Sequence, residues 1–339
     1  MKKMMMNKKL AAAAMAIAVL LGAAPMTANA KEITENDVVY DADDESGLAS
    51  VISYNGNESK VVIPASVGGY RVCHIGEGAF NKNQDIQYVV LPATIKTIGS
   101  SAFSNCKNLI SINFPSSLES IGSYAFTTNH SLKTIKLNRG LTKINECSFQ
   151  LCIAAETLTI PPLVKTIPDH ALHGMHELKT LRFCNGVNKI EETAALNGYK
   201  VSRIIIPPSV KEIQEHALGY RYYSPDYALC SKVEIYGKSG SEAERYAKEN
   251  YIPFVEFDFA YGDVNKDGFV DAIDASAILS EYVRRSTKGG TDYSKADEVR
   301  ADVNDDMSVN AIDASLVLSY YSYASSGGQG TPEEYFFLS

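Results

Sequence analysis

Between residues 75 and 213 an isoleucine returns every 23 residues without a slip: Ile75, Ile98, Ile121, Ile144, Ile167, Ile190 and Ile213. Four or five residues after most of them stands Ala-Phe or a degenerate form of it: Ala79-Phe80, Ala102-Phe103, Ala125-Phe126, Ser148-Phe149, Ala171-Leu172 and Ala217-Leu218. Three more columns keep this register, at 89/112/135/158/181/204, 91/114/137/160/183/206 and 95/118/141/164/187/210, and every member is Val, Ile, Leu or Phe. Apolar residues two apart, as in Ile112-Asn113-Phe114, mark a short strand with alternate side chains inward. The Ala-Phe pair is expected to pack from a short helix or tight turn on the opposite side. One such unit cannot bury its own apolar face, so the units must stack into a solenoid with a continuous core.

The pattern LxxIxLPxxLxxIGxxAF, carried here by Leu109–Phe126, resembles the BspA-like leucine-rich repeats of bacterial surface proteins. The resemblance spans roughly 36–257, from VVIPASVGGYRVCHIGEGAF (61–80) to an exit segment GxxGSxAExYAKExxIxF at 237–254. It implies an N-terminal β cap over 31–74, seven repeats over 75–236 and a C-terminal cap over 237–257. In that cap Ser241 and Glu244 have the spacing of a capping box. Asn138 and Cys184 replace the proline found at 92, 115, 161 and 207, and RYYSPDY (221–227) reads as an insertion. The outward strand positions, at 88, 90, 111, 113 and their equivalents up to 205, form one ladder that is mildly basic around Lys136, Arg182 and Arg203. Such a ladder is the usual ligand surface of leucine-rich repeats; Tyr88, Asn113, Lys136, Thr159, Arg182 and Arg203 are its candidate contacts here.

The N-terminus carries Lys2, Lys3, Lys8 and Lys9, then AAAAMAIAVLLGAA, then the small-x-small site Ala28-Asn29-Ala30. These are the parts of a secretory signal peptide over 1–30, so the chain is expected to be exported. The formal charge is −8, or −12 once the four leader lysines are set aside. Acidity concentrates near the C-terminus, where residues 261–325 hold twelve acids against six basic residues. That balance argues against nucleic acid and for a bound cation. The six cysteines, at 73, 106, 147, 152, 184 and 230, fall in no close, regular pairs. Cys106 and Cys152 lie two repeats apart, roughly 10 Å in a stack of strands and too far to bond, so buried thiols are expected. His170, His173 and His176 suggest a metal cluster, but the repeat register puts them in variable columns that face solvent. No phosphate loop, GxSxG element or paired acids for glycoside chemistry occur, so an enzyme is not expected.

Near the C-terminus GDVNKDGFVDAIDASAILSEY (262–282) and ADVNDDMSVNAIDASLVLSYY (301–321) align without a gap, 39 residues apart. Numbered from Asp263, the first offers oxygen at positions 1, 3, 5, 9 and 12 through Asp263, Asn265, Asp267, Asp271 and Asp274, and a carbonyl at position 7 from Phe269. Calcium takes six to eight such hard ligands, and Gly268 at position 6 gives the sharp turn of an EF-hand-type loop. The second loop offers Asp302, Asn304, Asp306, Ser308 (carbonyl), Asn310 and Asp313. Met307 stands where the glycine was and Asn310 where an aspartate was, so this second of two Ca2+ sites is expected to be weaker.

Position 12 is Asp rather than Glu, and only the exiting helices, over 272–284 and 311–323, are expected. Two such loop–helix halves joined by a linker of about 25 residues resemble a type I dockerin over 258–325, a small all-α module with two EF-hand-like loops. The resemblance implies docking to a scaffoldin cohesin, with Ala272, Ile273, Ser276 and Leu279 of the first half and Ala311, Ile312, Ser315 and Leu318 of the second facing it. The two sets are identical, so a pseudo-two-fold turn would present nearly the same surface; Arg284 and Arg285 against Tyr323 and Ala324 are the asymmetry. The remaining 326–339 is expected to be a flexible tail, though Tyr335-Phe336-Phe337 gives it an apolar triplet able to fold back.

These readings imply a non-catalytic subunit of an extracellular cellulosome-type complex, in a polysaccharide-degradation setting. It would dock to a scaffoldin cohesin and present its repeats to a protein or glycan. A free secreted or cell-surface adhesin, whose calcium domain is only structural, stands beside it.

Overall fold

The computed structural model of the protein describes residues 30–338; the signal-peptide segment, apart from Ala30, lies outside them. The repeats form two columns of short parallel strands. One runs through Tyr70–Ile75, Thr97–Ile98, Ser120–Ile121 and Lys143–Ile144, and continues in Thr166–Ile167, Lys189–Ile190 and Glu212–Ile213. The other holds Lys60–Val62, Tyr88–Val90 and Ser111–Ile112, then Thr157–Ile160, Thr180–Phe183, Arg203–Ile206, Glu234–Gly237 and Phe254–Glu256. Within the repeats partners lie 23 residues apart, as in Leu158↔Leu181↔Ile204. The next pairing, Ile204↔Ile235, needs 31 residues because the expected insertion is there: an antiparallel hairpin of Tyr220–Tyr223 with Asp226–Leu229.

The Ala-Phe segments are tight turns rather than helices, and the backbone shows why. Gly78, Ser101, Tyr124, Cys147, His170, Thr193 and His216 all have positive φ, as do Lys82, Asn105, Thr128, Leu151, Gly174 and Asn197. Both columns repeat at the 23-residue period. Left-handed residues four apart leave no room for a right-handed helical turn between them. The turns let Phe80, Phe103, Phe126 and Phe149 stack ring on ring, with centroids 4.8, 5.4 and 5.3 Å apart.

Beside this stack runs a polar ladder. The Cys106 thiol donates to the Phe80 carbonyl (3.0 Å), the Asn129 amide to Phe103 (3.0 Å) and the Cys152 thiol to Phe126 (3.3 Å). All six cysteines are buried and free. Burial pushes the Cys106 thiol up to about 12 and Cys152 higher still.

The stack is capped at both ends. Ala30–Glu35, Val38–Asp43 and Leu48–Tyr54 pair antiparallel, and the last joins Tyr70–Ile75 in parallel. At the other end helix α1 (Glu242–Glu249) buries Ala243, Tyr246 and Ala247. The Tyr246 hydroxyl donates to the Leu218 carbonyl and accepts from its amide, at 3.0 and 3.1 Å. The expected capping box does not form. Ser241 is the N-cap without a side-chain cap bond, and Glu244 accepts from the amide of Gly240 instead (2.7 Å).

The C-terminal module is helical. Helix α2 (Ala272–Lys288) runs about a turn longer than expected and α4 (Ala311–Ser325) two residues longer, and both begin with full capping boxes. Helix α3 (Lys295–Ala301) lies between them and leads into the second loop, where no preceding helix was expected; its Ser294-x-x-Asp297 box carried the signal. Ala275, Ile278, Ala301, Val303, Val309, Ala314 and Val317 form the core. The tail is not loose: helix α5 (Pro332–Leu338) packs Phe336 against this core, and Phe336 and Phe337 against a second cluster of Ile205, Tyr236, Phe257, Tyr261 and Val299.

Candidate functional site

The two acidic loops share most of their bonds. In the first, Asp263 accepts from the amides of Asp267 and Gly268 (3.2 and 3.0 Å), Asn265 from Asp267 (2.9 Å), and Asp267 from Phe269 (2.9 Å). In the second, Asp302 accepts from Met307 (3.0 Å), Asn304 from Asp306 (3.0 Å), and Asp306 from Ser308 (2.8 Å). Asp274 and Asp313, both fully buried, reach back over their loops to the amides of Val264 and Val303 (2.9 and 3.0 Å). Asp271 and Asn310 cap the helices that follow, accepting from Ile273 and Ile312. Each loop turns at a positive-φ residue, Gly268 at +88° and Met307 at +69°, so Met307 holds a backbone shape that favours glycine.

Among the described residues no three His, Cys, Asp or Glu side chains already converge on one point. The carboxylates hold their own loop's amides instead. Burial pushes Asp302 up to about 6 and Asp313 up to about 7, which marks buried negative charge that lacks a full counter-charge. Asp302 Oδ1 is buried with no hydrogen-bond partner among the described residues. A ring of hard oxygens around a twelve-residue turn, with one buried carboxylate oxygen unclaimed, fits a calcium ion.

The helices after the loops present matching outer faces. Ile273 and Ile312 are 60 % and 58 % exposed, Leu279 and Leu318 40 % and 44 %; Ala272, Ser276, Ala311 and Ser315 are exposed beside them. Ser276 and Ser315 donate to the carbonyls of Ala272 and Ala311 (2.8 and 2.9 Å), which satisfies each hydroxyl hydrogen within its own helix. Arg284 and Arg285 are not loose ends: both clasp Glu281 at 2.8 Å, and Arg284 also reaches the Gly290 carbonyl. Those two arginines, read from sequence as the cohesin-facing asymmetry between the halves, thus hold the end of α2 and the connection after it.

The outward ladder of the solenoid divides in two. Tyr88, Val90, Ser111, Asn113, Thr134 and Lys136 are exposed, and Lys60, Tyr88, Val90, Ser111 and Asn113 line one depression. Thr159 is half-buried, while Thr180, Arg182, Arg203 and Ile205 are buried. The two arginines, expected to face solvent, are covered by the C-terminal module. Arg182 makes a two-pronged pair with Asp305, Nε to Oδ2 at 3.1 Å and Nη2 to Oδ1 at 2.6 Å. Its guanidinium lies 4.3 Å from the ring of Tyr261 and 3.6 Å from that of Phe337. Arg203 Nη1 donates to Asp302 Oδ2 at 2.7 Å. Around them Arg300 pairs with Asp258, Arg139 with Glu334 and Lys295 with Glu234. Asp305 and Tyr261 escaped the sequence reading, because the first sits at a non-ligand position of the loop and the second lies outside both repeats; Phe337 belongs to the triplet read as able to fold back, but its partner Arg182 was not foreseen.

The histidines are half-buried rather than fully exposed. His170 and His173 stack at 4.8 Å and His176 lies on Tyr199 at 4.7 Å, and burial, helped by His170, brings His173 down to about 4.

Comparison with known proteins agrees with this architecture. Residues 73–195 match the BspA type leucine rich repeat region in six copies, and residues 261–321 match the dockerin type I domain. The chain thus carries a BspA-type leucine-rich repeat region followed by a type I dockerin domain. No curated protein matches it. Among solved structures it is similar to a leucine rich cell surface protein from Faecalibacterium prausnitzii A2-165 (23 % identity, 61 % of this chain and 70 % of that one, TM-score 0.49). It is also similar to the leucine rich repeat protein of T. pallidum (21 %, 66 % and 98 %, TM-score 0.47) and to a leucine-rich repeat protein from Bacteroides ovatus (21 %, 71 % and 70 %, TM-score 0.49). Both domain kinds are non-catalytic and typical of extracellular proteins, and type I dockerins bind calcium and imply a cohesin partner. Among the described residues no helix is long and apolar enough to cross a membrane.

Proposed function

We propose that the protein is a non-catalytic, exported subunit of a cellulosome-type complex in a polysaccharide-degrading setting. Its dockerin binds a scaffoldin cohesin when calcium fills both loops, through Asp263, Asn265, Asp267, Phe269, Asp271 and Asp274 in the first and Asp302, Asn304, Asp306, Ser308, Asn310 and Asp313 in the second. Calcium would draw the loop carboxylates onto one centre and set the start of each helix. The open part of the strand face, from Tyr88 to Lys136, is the surface left for a protein or glycan.

The observation that carries this reading is the pair of matched helix faces. Ile273 and Leu279 on α2, and Ile312 and Leu318 on α4, stay exposed although the module is packed against the solenoid. Apolar side chains left outward in equal sets, beside small Ala and Ser, suit a flat partner surface. The solenoid holds the module by its second loop and tail, so a cohesin and the solenoid do not contend for the same face.

The test is capture of the full chain by a panel of immobilised cohesins with calcium and with EDTA. Capture that disappears on chelation is the expected result. No capture by any cohesin, with calcium shown to be bound, would favour a free adhesin. Because the two faces match, Ile273→Asp or Ile312→Asp alone should leave binding through the other face, and the double change should abolish it. Loss on either single change would show that only one orientation is used.

A further inference from the structure

The second calcium loop and the solenoid meet at one carboxylate. Asp302, position 1 of that loop, is 1 % exposed. Its Oδ2 accepts both the amide of Met307 (3.0 Å) and Arg203 Nη1 (2.7 Å), while Oδ1 is buried and unpartnered. The arginine and an incoming cation therefore use different oxygens. Three residues on, Asp305 is held by Arg182 through both its oxygens. The Thr180 hydroxyl meets the Met307 sulfur at 3.4 Å, at the residue that replaces the loop's glycine.

Charge points the same way. The loop carries Asp302, Asp305, Asp306 and Asp313, and the solenoid sets Arg182 and Arg203 against the first two. Two negative charges remain, which one divalent cation balances. Without the arginines the cation faces a loop with excess charge in which Asp302 and Asp305 lose their outside anchors. Without the cation the arginines anchor a loop whose other carboxylates repel each other.

We infer that the second loop is a composite calcium site completed by the solenoid, with Arg203 and Arg182 as positioning residues outside the coordination sphere. Calcium binding there and docking of the dockerin on the solenoid then strengthen one another. This rests on the reading that the second loop binds calcium. It explains how a loop with Met307 in place of glycine and Asn310 in place of aspartate can still hold its ion. The shape it lacks locally is supplied by strands about a hundred residues earlier in the chain (99 between Arg203 and Asp302). In calcium the repeats then stand at a fixed angle to whatever the dockerin binds.

The test is calcium titration calorimetry on the chelator-treated full chain, with Asp306→Asn identifying which binding event belongs to the second loop. Arg203→Gln sets two expectations of opposite sign. If the arginine only adds positive charge near the ion, its removal tightens binding. If it positions Asp302, its removal weakens the second event, and that event alone, by about tenfold to a hundredfold, the usual loss for an outer-shell partner of a metal ligand. Unchanged or tighter binding overturns the inference. A wild-type chain that binds one calcium only, with Asp306→Asn silent, overturns the reading beneath it as well. Hydrogen exchange on the wild-type chain needs no variant: calcium should slow exchange in Thr180–Phe183 and Arg203–Ile206. Exchange there that is unchanged or faster with calcium would mean that the ion is indifferent to the solenoid contact or competes with it.

Discussion

Asn129 shows how one side chain can stand for a whole column. Its amide supplies the hydrogen bond that the thiols of Cys106 and Cys152 supply one repeat away on either side. Each donor meets a carbonyl inside the stack, where water cannot reach. Asn129→Ala should therefore cost about 1–3 kcal/mol, the penalty for a buried acceptor left unpaired, while Asn129→Cys should cost much less because that geometry already exists in both neighbours. Chemical denaturation of the two variants measures the difference. His173 gives a pH counterpart. Burial holds it neutral, with its folded value down at about 4 from an ordinary 6.5. The unfolded chain takes up the proton first, so this residue's contribution is complete above pH 6.5 and is lost as the pH falls toward 4. The unfolding midpoint should drop over that window, and His173→Gln, which borrows the residue at the equivalent position 150, should flatten the drop.

At the scale of the element, the turn carries more of the architecture than the strand. Strands of two to four residues pair in register, but the positive-φ pairs at the 23-residue period close each coil and stack the phenylalanines. The same tight coils account for the thiols. A cysteine donating inward to a carbonyl is neither ionised nor accessible, so Cys106, Cys152 and Cys230 should resist a thiol reagent in the native chain and react on unfolding. Mass spectrometry after timed alkylation reads this directly; rapid native labelling of Cys106 or Cys152 would contradict the ladder. In the dockerin, capping boxes start α2, α3 and α4 alike. Asp274 and Asp313 serve the cap and the loop together, which ties each helix start to the state of its loop.

For the whole molecule, the decisive contact is Arg182 against Asp305, with the guanidinium packed on the rings of Tyr261 and Phe337. Deleting one partner of a buried pair leaves the other charge stranded, a cost of about 3–5 kcal/mol. Arg182→Ala should therefore loosen the module from the solenoid without unfolding either. Small-angle scattering should report a longer, more variable particle, and hydrogen exchange should rise in both Thr180–Phe183 and the second loop. Asp305→Asn keeps the shape but strands the Arg182 charge, leaves every proposed calcium ligand in place, and should loosen the contact as well.

Much of this architecture is legible in the residues themselves. Repeats and duplicated loops write their neighbours at a constant offset, 23 or 39 residues, so the stacking of Ile98 on Ile121, or the likeness of Asp263 and Asp302, can be found by laying the chain over itself. Turn chemistry was half legible: the Ala-Phe position marked a bend, but residues as unlike as Ser101, Tyr124 and Cys147 share one left-handed shape, which the register imposes over their own preferences. What covers the strand face was not legible. Arg182 and Asp305 are 123 residues apart, belong to different repeat systems, and meet only because the linker, α3 and the aromatic tail turn the dockerin back onto the solenoid. Periodicity reports contacts that recur, so the sequence by itself determined the solenoid, its register and the twin loops. A contact made once, between two finished domains, depends on where their surfaces come to lie, and only the tertiary structure decided that half of the basic ladder would hold the protein's own dockerin.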